Sequence, residues 1–173
     1  MSEKRIETKK LTFLGLMVGY SLILYIIEGF IPNPMVAVFP GAKLGLSNII
    51  TLVALMTLGF KDTFIILTVR IILSSIFTGP MSYLMFSIGG GYLSLVVMYL
   101  FSRIKDFSVI GISIGGAIGH NVGQLLVASM IVQNIAMTTY LPFMLITSLV
   151  TGIFVGIVSK FTIPYVKSRI KKL

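Results

Sequence analysis

Long apolar runs, broken by short polar, glycine or proline punctuation, fill almost the whole chain. A membrane-spanning helix needs roughly 20 apolar residues, or about 17 at the short end. By that measure the pattern predicts six helices, over residues 11–30, 43–60, 63–77, 81–101, 108–132 and 140–163. Pro32, Pro34 and Pro40 mark the link between the first two. Lys61-Asp62 reads as a tight turn, with Asp62 able to cap the third helix. Thr78-Gly79-Pro80 reads as the next turn, and polar stretches at 102–107 and 133–139 separate the last three helices. There is no internal repeat and no low-complexity segment. The expected architecture is one all-α integral membrane domain over residues 1–173.

Composition agrees with the pattern. The chain is 56% hydrophobic with a mean hydropathy of +1.03, and only 11% of its residues are charged. A soluble domain carries about 25%. No cysteine is present, which excludes disulfides and thiolate chemistry. The net charge of +9 sits at the ends and in short loops, which is a topology signal and not a nucleic-acid stripe. Lys4, Arg5, Lys9 and Lys10 precede the first helix, Lys61 follows the second, and Arg103 and Lys105 follow the fourth. Lys160, Lys167, Arg169, Lys171 and Lys172 close the chain. With six spans all of these share one side, predicted to be the cytoplasm, with both termini there. The first apolar run is too long for a signal-peptide core and no cleavage site follows it, so it is expected to stay as a helix.

A small set of polar residues then stands out. A charge inside a membrane helix costs at least ~2.5–3.5 kcal/mol, so such residues are usually paired or functional. Arg70 lies near the middle of the third helix, and His120, Asn121 and Gln124 near the middle of the fifth. Lys43, Ser47, Asn48 and Thr51 share one broad face if the second helix starts at Lys43. Lys43 would then add a full charge to the positive end of that helix, at a site suited to an anion. Glu28 ends the first helix on the same side. Two readings compete. These groups either line a ligand pocket open to the outside or act as interhelical glue, with Arg70 paired to Glu28. Polar groups from four helices at mid-to-outer depth, with a cationic excess, favour a pocket for an anionic ligand.

Glycines mark expected close packing: Gly15 and Gly19 on helix one, Gly115, Gly119 and Gly123 on helix five, and Gly152 and Gly156 on helix six. Gly15 and Gly19 have no polar role and lie in the inner half of their helix, where a partner protein is an alternative to internal packing. Gly89-Gly90-Gly91 predicts a break, a hinge or a close backbone approach. No phosphate-binding loop, metal cluster or converging carboxylates occur, so neither ATP hydrolysis nor magnesium–diphosphate chemistry is expected. No catalytic residue, metal or cofactor is assigned.

Two stretches carry a family resemblance: Pro40-Gly-Ala-Lys-Leu-Gly-Leu-Ser-Asn48 and Gly119-His-Asn-Val-Gly-Gln124. They resemble the bacterial Gx transporter family, also known as heptaprenyl diphosphate synthase component I, over nearly the whole chain. That family is in turn similar to the substrate-binding S components of energy-coupling factor (ECF) transporters. The resemblance implies a six-helix S-component-like bundle in the bacterial plasma membrane with an outward-facing pocket. It also implies docking of a small-residue ridge on the first helix to a transmembrane coupling subunit served by ATPase subunits. Gly15 and Gly19 take that place here, where the family's usual residue is alanine. Family members are often linked to quinone or flavin-based functions. The sequence therefore predicts a non-enzymatic substrate-capture subunit, embedded in membrane lipid, for a small anionic molecule of vitamin-like or quinone- or flavin-related type. Lys43 and Arg70 would hold the anionic group, with Ser47, Asn48, His120, Asn121, Gln124 and Glu28 completing the pocket. The alternatives are a non-catalytic membrane component of prenyl or quinone metabolism that binds an isoprenoid diphosphate, and a purely structural partner.

Overall fold

The computed structural model describes residues 2–32, 44–78 and 81–170, with side chains over 8–32, 44–77 and 81–170. Six α-helices follow in order: α1 (Ser2–Glu28), α2 (Asn48–Leu58), α3 (Phe60–Thr78), α4 (Met81–Ser102), α5 (Val109–Val132) and α6 (Leu141–Ile170). A 3-10 segment, Ile135–Tyr140, leads into α6. The described residues contain no strand. Thr8–Glu28, Met81–Ser102, Val109–Val132 and Ile135–Ile170 are long and apolar enough to cross a membrane, so this is a membrane protein. Two helices differ. At 11 residues, α2 is about 16 Å long, half the thickness of a bilayer core. In α3, Lys61, Asp62 and Arg70 interrupt the apolar run.

The short α2 is the hub. It touches all five other helices. Asn48–Leu55 is buried without interruption, and Leu52, Val53 and Ala54 are fully enclosed. Around it, contacts run from α1 to α3, α4, α5 and α6 in an open arc. From α3 to α6 neighbours alternate in direction, while α1 and α3 run the same way. Lys10 Nζ reaches Asp62 Oδ2 at 2.9 Å, which puts the starts of α1 and α3 at one end. Phe60 of α3 packs on Tyr99 near the end of α4, with ring centroids 4.8 Å apart. Gly156 and Gly152 of α6 face Ile110 and Ile114 of α5, so those two helices run antiparallel.

Several boundaries depart from the sequence reading. The second helix begins at Asn48, not Lys43, because Gly45 adopts φ +88°, outside helical geometry. Lys43, expected in the first turn of this helix, lies outside the described residues. The turn after α2 falls at Gly59, φ +87°, and Lys61 and Asp62 belong to the first turn of α3. The backbone of α1 is helical from Ser2, through the basic segment read as a polar lead. Gly89-Gly90-Gly91 does not break α4, which is continuous from Met81 to Ser102.

Those three glycines turn through about 200° of helix, so they face different neighbours. A Cβ on Gly89 would lie 2.8 Å from the Gly123 carbonyl oxygen of α5. One on Gly90 would lie 3.0 Å from both Gln124 Cγ and His120 Cε1. One on Gly91 would press on Leu67 and Ile71 of α3, with Arg70 Nη2 at 3.8 Å. The triple glycine lets α4 lie close against α5 and α3 where their polar side chains meet.

Candidate functional site

The polar residues converge beside α2, towards the end of the bundle opposite Lys10 and Asp62. Construction starts at Glu28, the last residue of α1. Its Oε1 accepts a short hydrogen bond from Gly45 N–H, and its Oε2 accepts from Leu46 N–H at 3.0 Å. The next amides turn inward: Asn48 N–H donates to the Gly45 carbonyl at 2.9 Å and Ile49 N–H to that of Leu46 at 3.0 Å. The positive end of α2 thus does attract an anion, but the anion is the protein's own carboxylate. Glu28 is 5% exposed, so these charge-assisted bonds are what make its burial tolerable.

Arg70 rises from the middle of α3 and is 1% exposed. Its guanidinium carbon lies 5.2 Å from the centroid of the Tyr25 ring of α1, a cation–π contact. Tyr25 is held in turn, its hydroxyl 3.3 Å from Ser87 Oγ of α4. Glu28 and Arg70 form no ion pair; Glu28 acts on the cation only through its field. Arg70 Nε and Nη2 have no hydrogen-bond partner among the described residues. The glue reading of Arg70 with Glu28 is therefore not what the side chains do.

From α5, His120 and Gln124 lie one turn apart on the ridge that faces Gly90. His120 also reaches the turn ahead of α2: a Cβ on Gly45 would meet Asn48 Nδ2 at 2.8 Å and His120 Cδ2 at 3.5 Å. Asn48, His120 and Gln124 are each buried. Asn48 Oδ1 and Gln124 Oε1 lack a donor among the described residues. Residue by residue the cluster runs from Arg70 past Gly91 and Gly90 to Gln124 and His120, then past Gly45 to Asn48 and Glu28.

The structure thus gathers Glu28, Asn48, Arg70, His120 and Gln124. Asn121 turns elsewhere: its Nδ2 donates to the Met144 carbonyl at 3.1 Å and to Ser148 Oγ at 2.7 Å, tying α5 to α6. Ser47 is buried beneath the turn, and its carbonyl accepts from Ile50 N–H at 3.2 Å. The sequence reading missed Tyr25, while it had marked Gly90 as a place of close backbone approach. Tyr25 is three residues before Glu28, and that spacing was the available signal. The described residues hold no group of three potential metal ligands.

A second feature lies outside this cluster. An apolar groove of about 510 Å³ runs between α4 and α5 in the half nearer their connecting loop. Leu93, Val97, Phe101, Phe107, Ile114 and Ile118 are among its walls, with Gly111, Gly115 and Gly119 in its lining.

Comparison with known proteins gives one match. The model of the family described as heptaprenyl diphosphate synthase component I matches residues 17–162. That stretch takes in every residue of the cluster. No curated protein and no solved structure matches.

Proposed function

The chain belongs to the heptaprenyl diphosphate synthase component I family, and from that membership together with the buried cluster we propose a substrate-binding membrane subunit of ECF type. It captures a small anionic molecule from the outer face of the bacterial plasma membrane. It crosses the membrane six times, with both termini in the cytoplasm. The observation that carries this reading is Arg70. A buried cation costs several kcal/mol unless hydrogen bonds and a counter-ion compensate it. Here the nearest carboxylate is engaged by Gly45 and Leu46, and two guanidinium donors remain open among the described residues. A bound anion supplies what Arg70 lacks. Lys43 adds a second positive charge from the link ahead of α2. Asn48, His120 and Gln124 orient the ligand, while Glu28, Ser47 and Asn121 hold the frame.

Energy comes from partners. The ridge of Gly15 and Gly19 supports docking on a transmembrane coupling subunit, itself served by ATPase subunits. A Cβ at either glycine would meet nothing within 4 Å among the described residues, so the ridge they form is open on that side. Leu16, Tyr20 and Ile23 are exposed beside them.

The apolar groove between α4 and α5 favours a second reading. Its walls suit a lipid chain, as expected for a membrane component that binds an isoprenoid diphosphate. Native mass spectrometry of the protein in mild detergent separates the two. Capture predicts a small water-soluble acid as the bound mass. A prenyl lipid as the only bound mass would favour the second reading, and a protein free of adducts would remove both.

A further inference from the structure

The ligand's chemical class can be read from which atoms of the cluster are open, given the anion-binding reading above. In a guanidinium, Nε–H and the near N–H of Nη2 point the same way, along one edge. These two nitrogens of Arg70 are the ones without a partner among the described residues. The edge is a fork matched to two oxygens on one atom, as in a carboxylate or a phosphate. Stacking on Tyr25 covers a face of the guanidinium and does not use that edge, which is buried and unpaired among the described residues. The remaining open atoms have the opposite character. Asn48 Oδ1 and Gln124 Oε1 are acceptors, buried, and without a donor. A ligand with only an oxyanion would leave both unsatisfied, which is costly in a buried site.

We propose that this site takes an organic acid with two features: an oxyanion, carboxylate or phosphate, gripped side-on by Arg70, and N–H or O–H groups donated to Asn48 and Gln124. Simple anions and apolar acids satisfy only half the site. A single charge is also enough for it, since Glu28 remains bonded to Gly45 and Leu46.

The test uses the full chain in lipid nanodiscs and four probes: phenyl phosphate, 3-phenylpropionate, N-acetylphenylalanine and the neutral N-acetylphenylalanine amide. Calorimetric titration of the wild type should show binding of the three acids and none of the amide. N-acetylphenylalanine, which alone pairs a carboxylate with an N–H, should bind the tightest of the carboxylates. Arg70→Lys keeps the charge but removes the fork, and should weaken every acid by at least about tenfold. Gln124→Leu should shrink the advantage of N-acetylphenylalanine over 3-phenylpropionate, and weaken phenyl phosphate by less than N-acetylphenylalanine. That variant also serves if Arg70→Lys does not fold.

Wild-type affinities in Arg70→Lys, with weak binding in Arg70→Met, would overturn side-on recognition and leave the anion-binding reading standing. Unchanged affinities in both variants would end that reading as well. An unaltered probe preference in Gln124→Leu would overturn the donor requirement, and no acid binding to the wild type would overturn the whole proposal.

Discussion

At the scale of single residues, the two buried charges have different tasks. Glu28 builds the turn ahead of α2, and Arg70 stacks on Tyr25 with two donors unpaired among the described residues. Glu28→Gln keeps the shape but replaces one acceptor oxygen with an NH2 group that opposes a backbone N–H. Hydrogen bonds to charged groups contribute about 1.5–3 kcal/mol. Thermal denaturation of Glu28→Gln should show a stability loss in that range. A melting curve equal to the wild type would mean that the carboxylate does not hold the turn. The sequence made these residues visible because ionisable groups are conspicuous in apolar helices. It did not reveal their division of labour. His120 and Asn121 are adjacent, yet one joins the cluster and the other ties α5 to α6. Gln124, four residues after His120, marks the face that His120 shares, but no polar residue in the same helix marks where Asn121 turns.

At the scale of helices, the six elements were legible as apolar runs, and the errors lie where backbone geometry overrides hydropathy. Gly45 and Gly59 set both ends of α2, which left it shorter and more central than its apolar run implied. The glycine ridges, identical in pattern, separate into two kinds. A Cβ on Gly123 would collide with the Gly89 carbonyl, whereas one on Gly15 meets open space. Gly123→Ala should therefore destabilise the protein by about 1–3 kcal/mol, the usual cost of overpacking. Gly15→Ala should leave the melting temperature unchanged. Equal effects from the two would mean that the helices are not packed as described. Gly15→Leu or Gly19→Leu should leave the protein folded and inserted but reduce co-purification with a coupling subunit. Normal assembly of both would remove the docking ridge.

At the scale of the whole molecule, the bundle carries its charges at one end and its polar cluster towards the other. Lys10, Asp62 and Arg103 mark the first, and Glu28 and Asn48 stand at the second. Single cysteines at Ser2, Ser82 and Thr138 should label accordingly in intact cells: the first shielded, the other two reached from outside. Labelling of all three from outside would contradict six spans. The central claim, however, is that Arg70 is kept for a ligand and not for the fold. Removing a structural buried charge strands its partner and costs about 3–5 kcal/mol, while removing one that strands no ion-pair partner costs much less. The most direct measurement is native mass spectrometry of Arg70→Met, beside its melting curve. The small acid carried by the wild type should disappear while the melting temperature of the ligand-free protein holds or rises. Retention of the bound mass with a large fall in melting temperature would contradict it.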